Sequence, residues 1–312
     1  MTTHRATLTT QIFYGSGAIS VGIKNNLRGT YLLIYYNRVL GLDASIVALA
    51  MAIALIVDAV SDPLVGIWSD RVRSRWGRRH PFMYAAIIPF AASYYMLLKD
   101  PGDISDQTLF IRLLVLLIIL RISMTFYEVP RGALGPELSK DYDQRNALSA
   151  WSMAFGWIGG AGIAFIANRY FLDSFVDLEG YQSLAFWGGL SIFVGGVISC
   201  LGTHRSIPQL HTPEPRSMNI LVLLREAKET LANRSWIVLF LAGCFYSLLV
   251  GLEQGVGTYY NEYLWQWKPG QIAIFSLVAV LLVIGTVALA PVIAAGRNKK
   301  NIAVGIFMFT IF

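Results

Sequence analysis

Cysteine is almost missing from this chain. Cys200 and Cys244 are the only two in 312 residues, and both fall inside apolar runs, where packing is the expected role and a disulfide framework is excluded. Histidine is nearly as scarce. His4, His80, His204 and His211 fall in terminal or loop segments, without metal-ligand spacing and without a nucleophile and acid beside them, so neither a zinc centre nor a histidine-based triad is expected. Charge is the third shortage: 14% of the residues are ionisable, where soluble domains carry about a quarter. The opening MTTHRATLTT runs straight into a polar first helix, so no cleavable leader is expected.

Long apolar runs take the place of what is missing. Hydrophobic residues make up 55% of the chain and the mean hydropathy is +0.54, the composition of a polytopic membrane protein. Runs near the roughly 20 residues that cross a bilayer predict helices over 10–37, 44–68, 81–98, 109–131, 148–171, 181–202, 234–265 and 270–295. A ninth run, 302–312, is too short to span, and the reading is of a chain that stops within its second half.

Basic residues set the expected orientation, because Lys and Arg stay cytoplasmic during insertion. With the N-terminus inside, most of the 25 basic residues fall on one face: Arg5, the arginines from Arg71 to Arg79, Arg131, Lys140, Arg145, those from Arg205 to Arg234, and Arg297, Lys299 and Lys300. The net charge of +6 then reflects topology and anionic lipid, with no nucleic-acid partner expected. The segment 203–233 divides the chain into an N-terminal half, 1–202, with six spans, and a C-terminal half, 234–312, with helices 7, 8 and the start of 9. It opens as a Pro-rich linker, THRSIPQLHTPEP, and continues as an amphipathic surface helix with Ile220, Leu224, Ala227 and Leu231 on one face. A faint internal echo links TYLLIYYN, ending at Asn37, with GTYYN, ending at Asn261.

The densest motif is DAVSDPLVGIWSDRVRSRWGRRHP, 58–81. Its run Gly66, Asp70, Arg71, Gly77, Arg78, Arg79 resembles the loop between the second and third helices of the major facilitator superfamily. With EVPRGALGPELSKDYDQR, 128–145, the fuller pattern is similar to the glycoside, pentoside and hexuronide cation symporters of that superfamily, the melibiose-permease type, and shares a motif with sucrose transporters. The resemblance implies an all-α membrane protein of the major facilitator fold, built as two parallel six-helix halves with the solute path between them. It also implies a cation site at Asp58, Ser61, Asp62, Thr125 and Glu128. Chemistry agrees independently: hard cations take several oxygens, and clustered carboxylates raise one another's pKa enough to exchange a proton, so sodium or a proton is the expected coupling ion and no other cofactor is.

Bland readings stand beside these. Lys24 and Arg28 are four apart on the first helix, and Arg121 lies two turns before Glu128 on the fourth. They either pair with Asp58, Asp62 and Glu128 to brace the bundle, or hold an anionic solute such as a uronate. Asn25, Trp151, Glu253 and Gln254 are further solute candidates, Trp157 a possible stacking ring, and Glu262 a rim residue. Aligned on YGSGA, 14–18, the family's sugar-binding acid falls on Gly22, which departs from melibiose-type recognition. Gly66 is read as allowing close helix approach, and Gly156, Gly159, Gly160 and Gly162 as a packing seam. The loop residues Gly66, Asp70, Arg71, Arg75, Gly77, Arg78 and Arg79 are expected to latch the cytoplasmic side. Without a nucleophile or phosphate-cradling motif the chain is read as no enzyme. The expectation is a monomeric secondary transporter of the plasma membrane that moves a sugar, glycoside or hexuronide with a cation by alternating access. The alternatives are another organic solute, anionic or lipid-like, or a transport-inactive sensor on the same fold.

Overall fold

The structure is a computed structural model that describes residues 6–139, 141–207, 229–294 and 305. The proposed surface helix over 220–231, its last three residues 229–231 apart, and the run 302–312, Gly305 apart, lie outside the described residues. Each of the eight predicted spans is helical, and no strand occurs among the described residues. The second to sixth helices are Ala44–Arg71, His80–Leu98, Asp106–Leu138, Tyr142–Ile166 and Leu178–His204, and the seventh and eighth are Arg234–Tyr259 and Pro269–Ala294. Among the described residues, seven helices are long and apolar enough to cross a membrane. The first is a stack of shorter pieces, Leu8–Ser16, Ala18–Asn26, Leu27–Tyr31, Leu32–Ile34 and Tyr35–Val39.

Polar side chains start these helices where the apolar runs begin. Ser105 Oγ accepts from Thr108 N, Asp141 Oδ1 from Gln144 N and Asp177 Oδ1 from Gly180 N, caps typically worth about 1 kcal/mol each. Asp43 caps the second helix, and the hydrogen bonds from Ser45 hold its carboxyl below the usual carboxylate range. Pro63, Pro89, Pro130 and Pro136 sit inside helices without ending them. Neighbouring helices and local side chains satisfy the freed carbonyls in a membrane bundle. The fourth helix therefore runs on to Leu138, and Arg131, read as the cytoplasmic end of the span, is instead buried within it.

Lipid tails are as apolar as leucine, so close packing has to hold the bundle together. The first and fifth helices meet backbone to backbone. A Cβ on Gly159 would come within 2.5 Å of the Ile19 carbonyl oxygen, and one on Gly160 within 3.0 Å of that of Gly22. Gly22 is pressed against the Gly156 carbonyl with no room for a side chain. Two expected roles fail: Gly162 faces open space, and a Cβ on Gly66 would make only an ordinary 3.6 Å contact with Val129. At the arginine-loop end, His80 and His204 are not loop residues. His80 opens the third helix and pairs through Nε2 with Thr203 Oγ1 on the sixth at 3.0 Å, while His204 Nδ1 meets Tyr84 OH at 3.1 Å. Cys200 is buried as expected, but Cys244 is exposed on the seventh helix.

Candidate functional site

The second helix presents Asp58, Ser61 and Asp62 to Thr125 of the fourth, because positions three and four apart share a helix face. Thr125 is fully buried, and its Oγ1 lies 2.8 Å from Asp62 Oδ1, 3.3 Å from Asp58 Oδ1 and 3.2 Å from Ser61 Oγ. One hydroxyl carries one proton, so Thr125 donates to a single carboxylate at a time. Asp62 is the nearer. Asp58 Oδ2 accepts from Arg121 Nη1 in a buried ion pair, whereas Asp62 has no ion pair among the described residues. The four oxygens of Asp58, Ser61, Asp62 and Thr125 are thus drawn together, the chemistry a hard cation requires.

Glu128 stands apart from that group. Its Oε2 lies 3.9 Å from Lys24 Nζ; the Lys24 side chain is 6% exposed and that of Glu128 is 41% exposed. Lys24, Arg28 and Arg121 surround a tight apolar space with Leu27, Met51 and Leu117 and are not solute-cavity residues. Of the two readings given to these cations, the structure favours charge pairing: Lys24 with Glu128 and Arg121 with Asp58. Arg28 forms no ion pair among the described residues.

A separate cavity of about 770 Å³ opens between the first six helices and the seventh and eighth. Asn25, Gln254, Glu128 and Trp157 line it, with the polar groups Tyr14, Asn26, Arg131, Ser149 and Ser152. Trp151 is not a lining residue; its ring stacks on Phe155 at 5.9 Å. Glu253 is exposed and also absent from the lining. Sequence reasoning missed Arg131, Tyr14 and Ser152. The available signal was the spacing of Glu128 and Arg131, three residues apart and so on one helix face, but Arg131 sits at the predicted end of the span and reads there only as a topology residue.

The two ends of the bundle differ. At the arginine-loop end, Arg79 pairs with Asp70 and donates to Ser69 Oγ at 2.7 Å. Arg78 and Arg79 both reach Glu137 of the fourth helix, at 2.7 and 3.1 Å. Gly77 takes φ +72°, a conformation glycine adopts without strain. Arg75 lies over its neighbour Trp76, and Arg71 is exposed. At the opposite end the first and seventh helices are joined. Thr258 Oγ1 donates to Thr30 O and Tyr259 OH to Asn37 Oδ1, both at 3.0 Å, and Arg38 pairs with Glu262 at 3.6 Å. Among the described residues no hydrogen bond or ion pair ties the seventh or eighth helix to the first six at the arginine-loop end.

A carboxylate cluster with one buried ion pair in an apolar helical bundle, and a polar cavity between two sets of helices, define a multi-pass membrane protein of the transporter type. The chain belongs to the MFS/sugar transport protein family, whose model matches residues 13–312. It is similar to the uncharacterized symporter sll1374 of Synechocystis sp., 36% identical over 163 residues, which are 51% of this chain and 30% of that protein. It is also similar to the putative glycoside/cation symporter YagG of Escherichia coli, 27% identical over 234 residues, 75% of this chain and 50% of that one. The isoprimeverose transporter of Lactiplantibacillus pentosus is 24% identical over 292 residues, 92% and 59% of the two chains. The chain spans about half the length of the curated relatives it matches.

Proposed function

We propose that this protein is a secondary transporter that moves a sugar-like or glycoside solute together with a cation by alternating access. It works as a monomer in the plasma membrane, with the arginine loop and the N-terminus on the cytoplasmic side, as the basic residues dictate. The observation that carries the reading is the position of Glu128. One side of its carboxylate borders the 770 Å³ cavity; the other faces buried Lys24. A solute in the cavity therefore meets, at Glu128, the edge of the charge network that includes Lys24. Arg121 neutralises Asp58, which leaves Asp62, with the hydroxyls of Thr125 and Ser61, as the carboxylate for the coupling ion. Filling that position with sodium or a proton removes a negative charge from the bundle and changes the balance among Lys24, Arg28 and Glu128. The contacts that join the first and seventh helices at the outer end support reading this arrangement as inward-facing.

Uptake into proteoliposomes under an imposed sodium or proton gradient, with a panel of glycosides, tests the reading. One gradient is expected to drive accumulation, and Asp62→Asn to abolish the gradient dependence while solute exchange persists. Accumulation of no solute under either gradient would sink it, and so would unchanged coupling in Asp62→Asn.

A further inference from the structure

We propose, on the transport reading above, that Gln254 ties solute binding to closure of the outer end: a solute hydroxyl bridges Gln254 to the first helix only while the first and seventh helices are joined. The contacts between these helices form a line that runs from the outer end inward to the cavity. Glu262 Oε1 meets Arg38 Nη2 at 3.6 Å, and Thr258 Oγ1 donates to Thr30 O at 3.0 Å. Gln254, one turn before Thr258 on the same face, carries the line on to Gly29. A Cβ on Gly29 would stand 2.9 Å from Gln254 Oε1, 3.1 Å from its Cδ and 3.4 Å from its Cβ. The glutamine side chain therefore lies over the glycine along much of its length. Gly29 and Thr30 both belong to the π turn Leu27–Tyr31, an irregularity that recurs at functional sites.

The amide at the inner end of this line is unspent. Gln254 makes no hydrogen bond among the described residues, and it lines the cavity together with Asn25, Gly29 and Thr30 of the first helix. Asn25, one turn before Gly29, is exposed and equally without a hydrogen-bond partner among the described residues. A solute hydroxyl between the two amides accepts from one and donates to the other. That bridge requires Gln254 to be seated over Gly29. When the helices part, the amides separate and one of the two hydrogen bonds passes to water. A ligand shifts an equilibrium only by the difference in its affinity for the two states, and the bridge supplies such a difference. Solute reaching a cavity open to the outside therefore draws the outer end shut. Because each contact farther out is worth little on its own, one or two hydrogen bonds from the solute are enough to tip the balance.

The bland alternative is that Gln254 only fills the hollow over Gly29. Spin labels on Ala44→Cys and Leu264→Cys, exposed positions at the outer ends of the second and seventh helices, report the separation in the purified full chain once Cys244 is replaced by serine. The probes are methyl β-D-glucoside, methyl β-D-xyloside, methyl α-D-galactoside and melibiose. At least one is expected to raise the ratio of joined to parted molecules, by about fivefold for each hydrogen bond gained. Gln254→Met has similar length and no amide; it should keep the distribution found without solute and lose the rise. Gly29→Ala, whose methyl pushes the amide off its seat, should weaken the rise in the same way. A rise that survives Gln254→Met assigns the residue to packing and overturns the proposal, as does a parent distribution that no probe changes. Gradient-driven uptake of a probe that leaves the distribution unchanged sinks the link and leaves symport standing. Closure by a probe that neither gradient accumulates keeps the link and sinks symport.

Discussion

Two glycines and one ion pair show how single side chains divide between structure and mechanism. Gly22 stands where the resembled symporters carry a sugar-binding acid, and the backbone of Gly156 occupies the space a side chain would need. Gly22→Ala is therefore expected to push the first and fifth helices apart and to cost about 1–3 kcal/mol, the usual range for overpacking. Gly66→Ala, with only a 3.6 Å neighbour, is expected to stay within about 0.5 kcal/mol of the parent. Denaturant or thermal unfolding of the two variants in one detergent checks the contrast, and equal losses would contradict it. The sequence pattern pointed to Gly66, because a motif shows which residue recurs in a loop and not what faces it. Asp58 and Arg121 call for a different test. Asp58→Asn leaves a buried guanidinium unpaired and is expected to cost about 3–5 kcal/mol. Asp58→Asn with Arg121→Gln should recover much of that loss if the pair is a brace. Stability recovered without transport would assign Asp58 a coupling role as well.

Among the elements, the spans were legible and their internal breaks were not. Apolar runs of span length fixed eight helices because hydrophobic length is a property of a window. A π turn is a property of one misplaced hydrogen bond, and nothing in the hydropathy of Leu27–Tyr31, Tyr35–Val39, Ala167–Phe171 or Tyr260–Leu264 announces it. The paired acids and their hydroxyl partners were equally visible, since spacing puts Asp58 and Asp62 on one face. Their division of labour was not, because it depends on Arg121 arriving from another helix. The arginine loop gives the same lesson. Its arginines predict topology, but Glu137, which gathers Arg78 and Arg79, lies in the second motif, 128–145, beyond the predicted end of the fourth span at 131. Glu137→Gln weakens both charge-assisted bonds, while Arg79 keeps Asp70. A loss of about 1–3 kcal/mol is expected, together with faster proteolysis in the loop 72–79. An unchanged cleavage rate would show that the arginines are held by other means.

At the scale of the whole molecule, the described first and seventh helices are joined at the end opposite the arginine loop, and the proposed alternating access requires that this joint open. The closure rests on few contacts: Thr258 to Thr30, Tyr259 to Asn37, and Glu262 to Arg38, whose guanidinium also lies 5.2 Å from the Tyr263 ring. Ion pairs near a surface contribute about 1 kcal/mol, and single hydrogen bonds about as much, so the contacts can be broken by a solute-dependent difference of a few kcal/mol. The faint echo between TYLLIYYN and GTYYN gains a physical meaning here. Both stretches run into π turns at the same end of the bundle, Tyr35–Val39 and Tyr260–Leu264, and these turns supply Asn37, Arg38 and Glu262 to the closure. Holding them together should therefore arrest the cycle with the cavity facing the arginine loop. Cysteines at Asn37 and Tyr259, with exposed Cys244 replaced by serine, can be joined by a short bis-maleimide. Uptake is expected to fall at least tenfold after cross-linking, while solute binding from the arginine-loop side persists. A mono-functional maleimide, which adds bulk but no tether, should leave uptake largely intact. Unimpaired transport by the cross-linked protein would mean that the first and seventh helices need not separate, and the closed end would then be a static seam in the bundle.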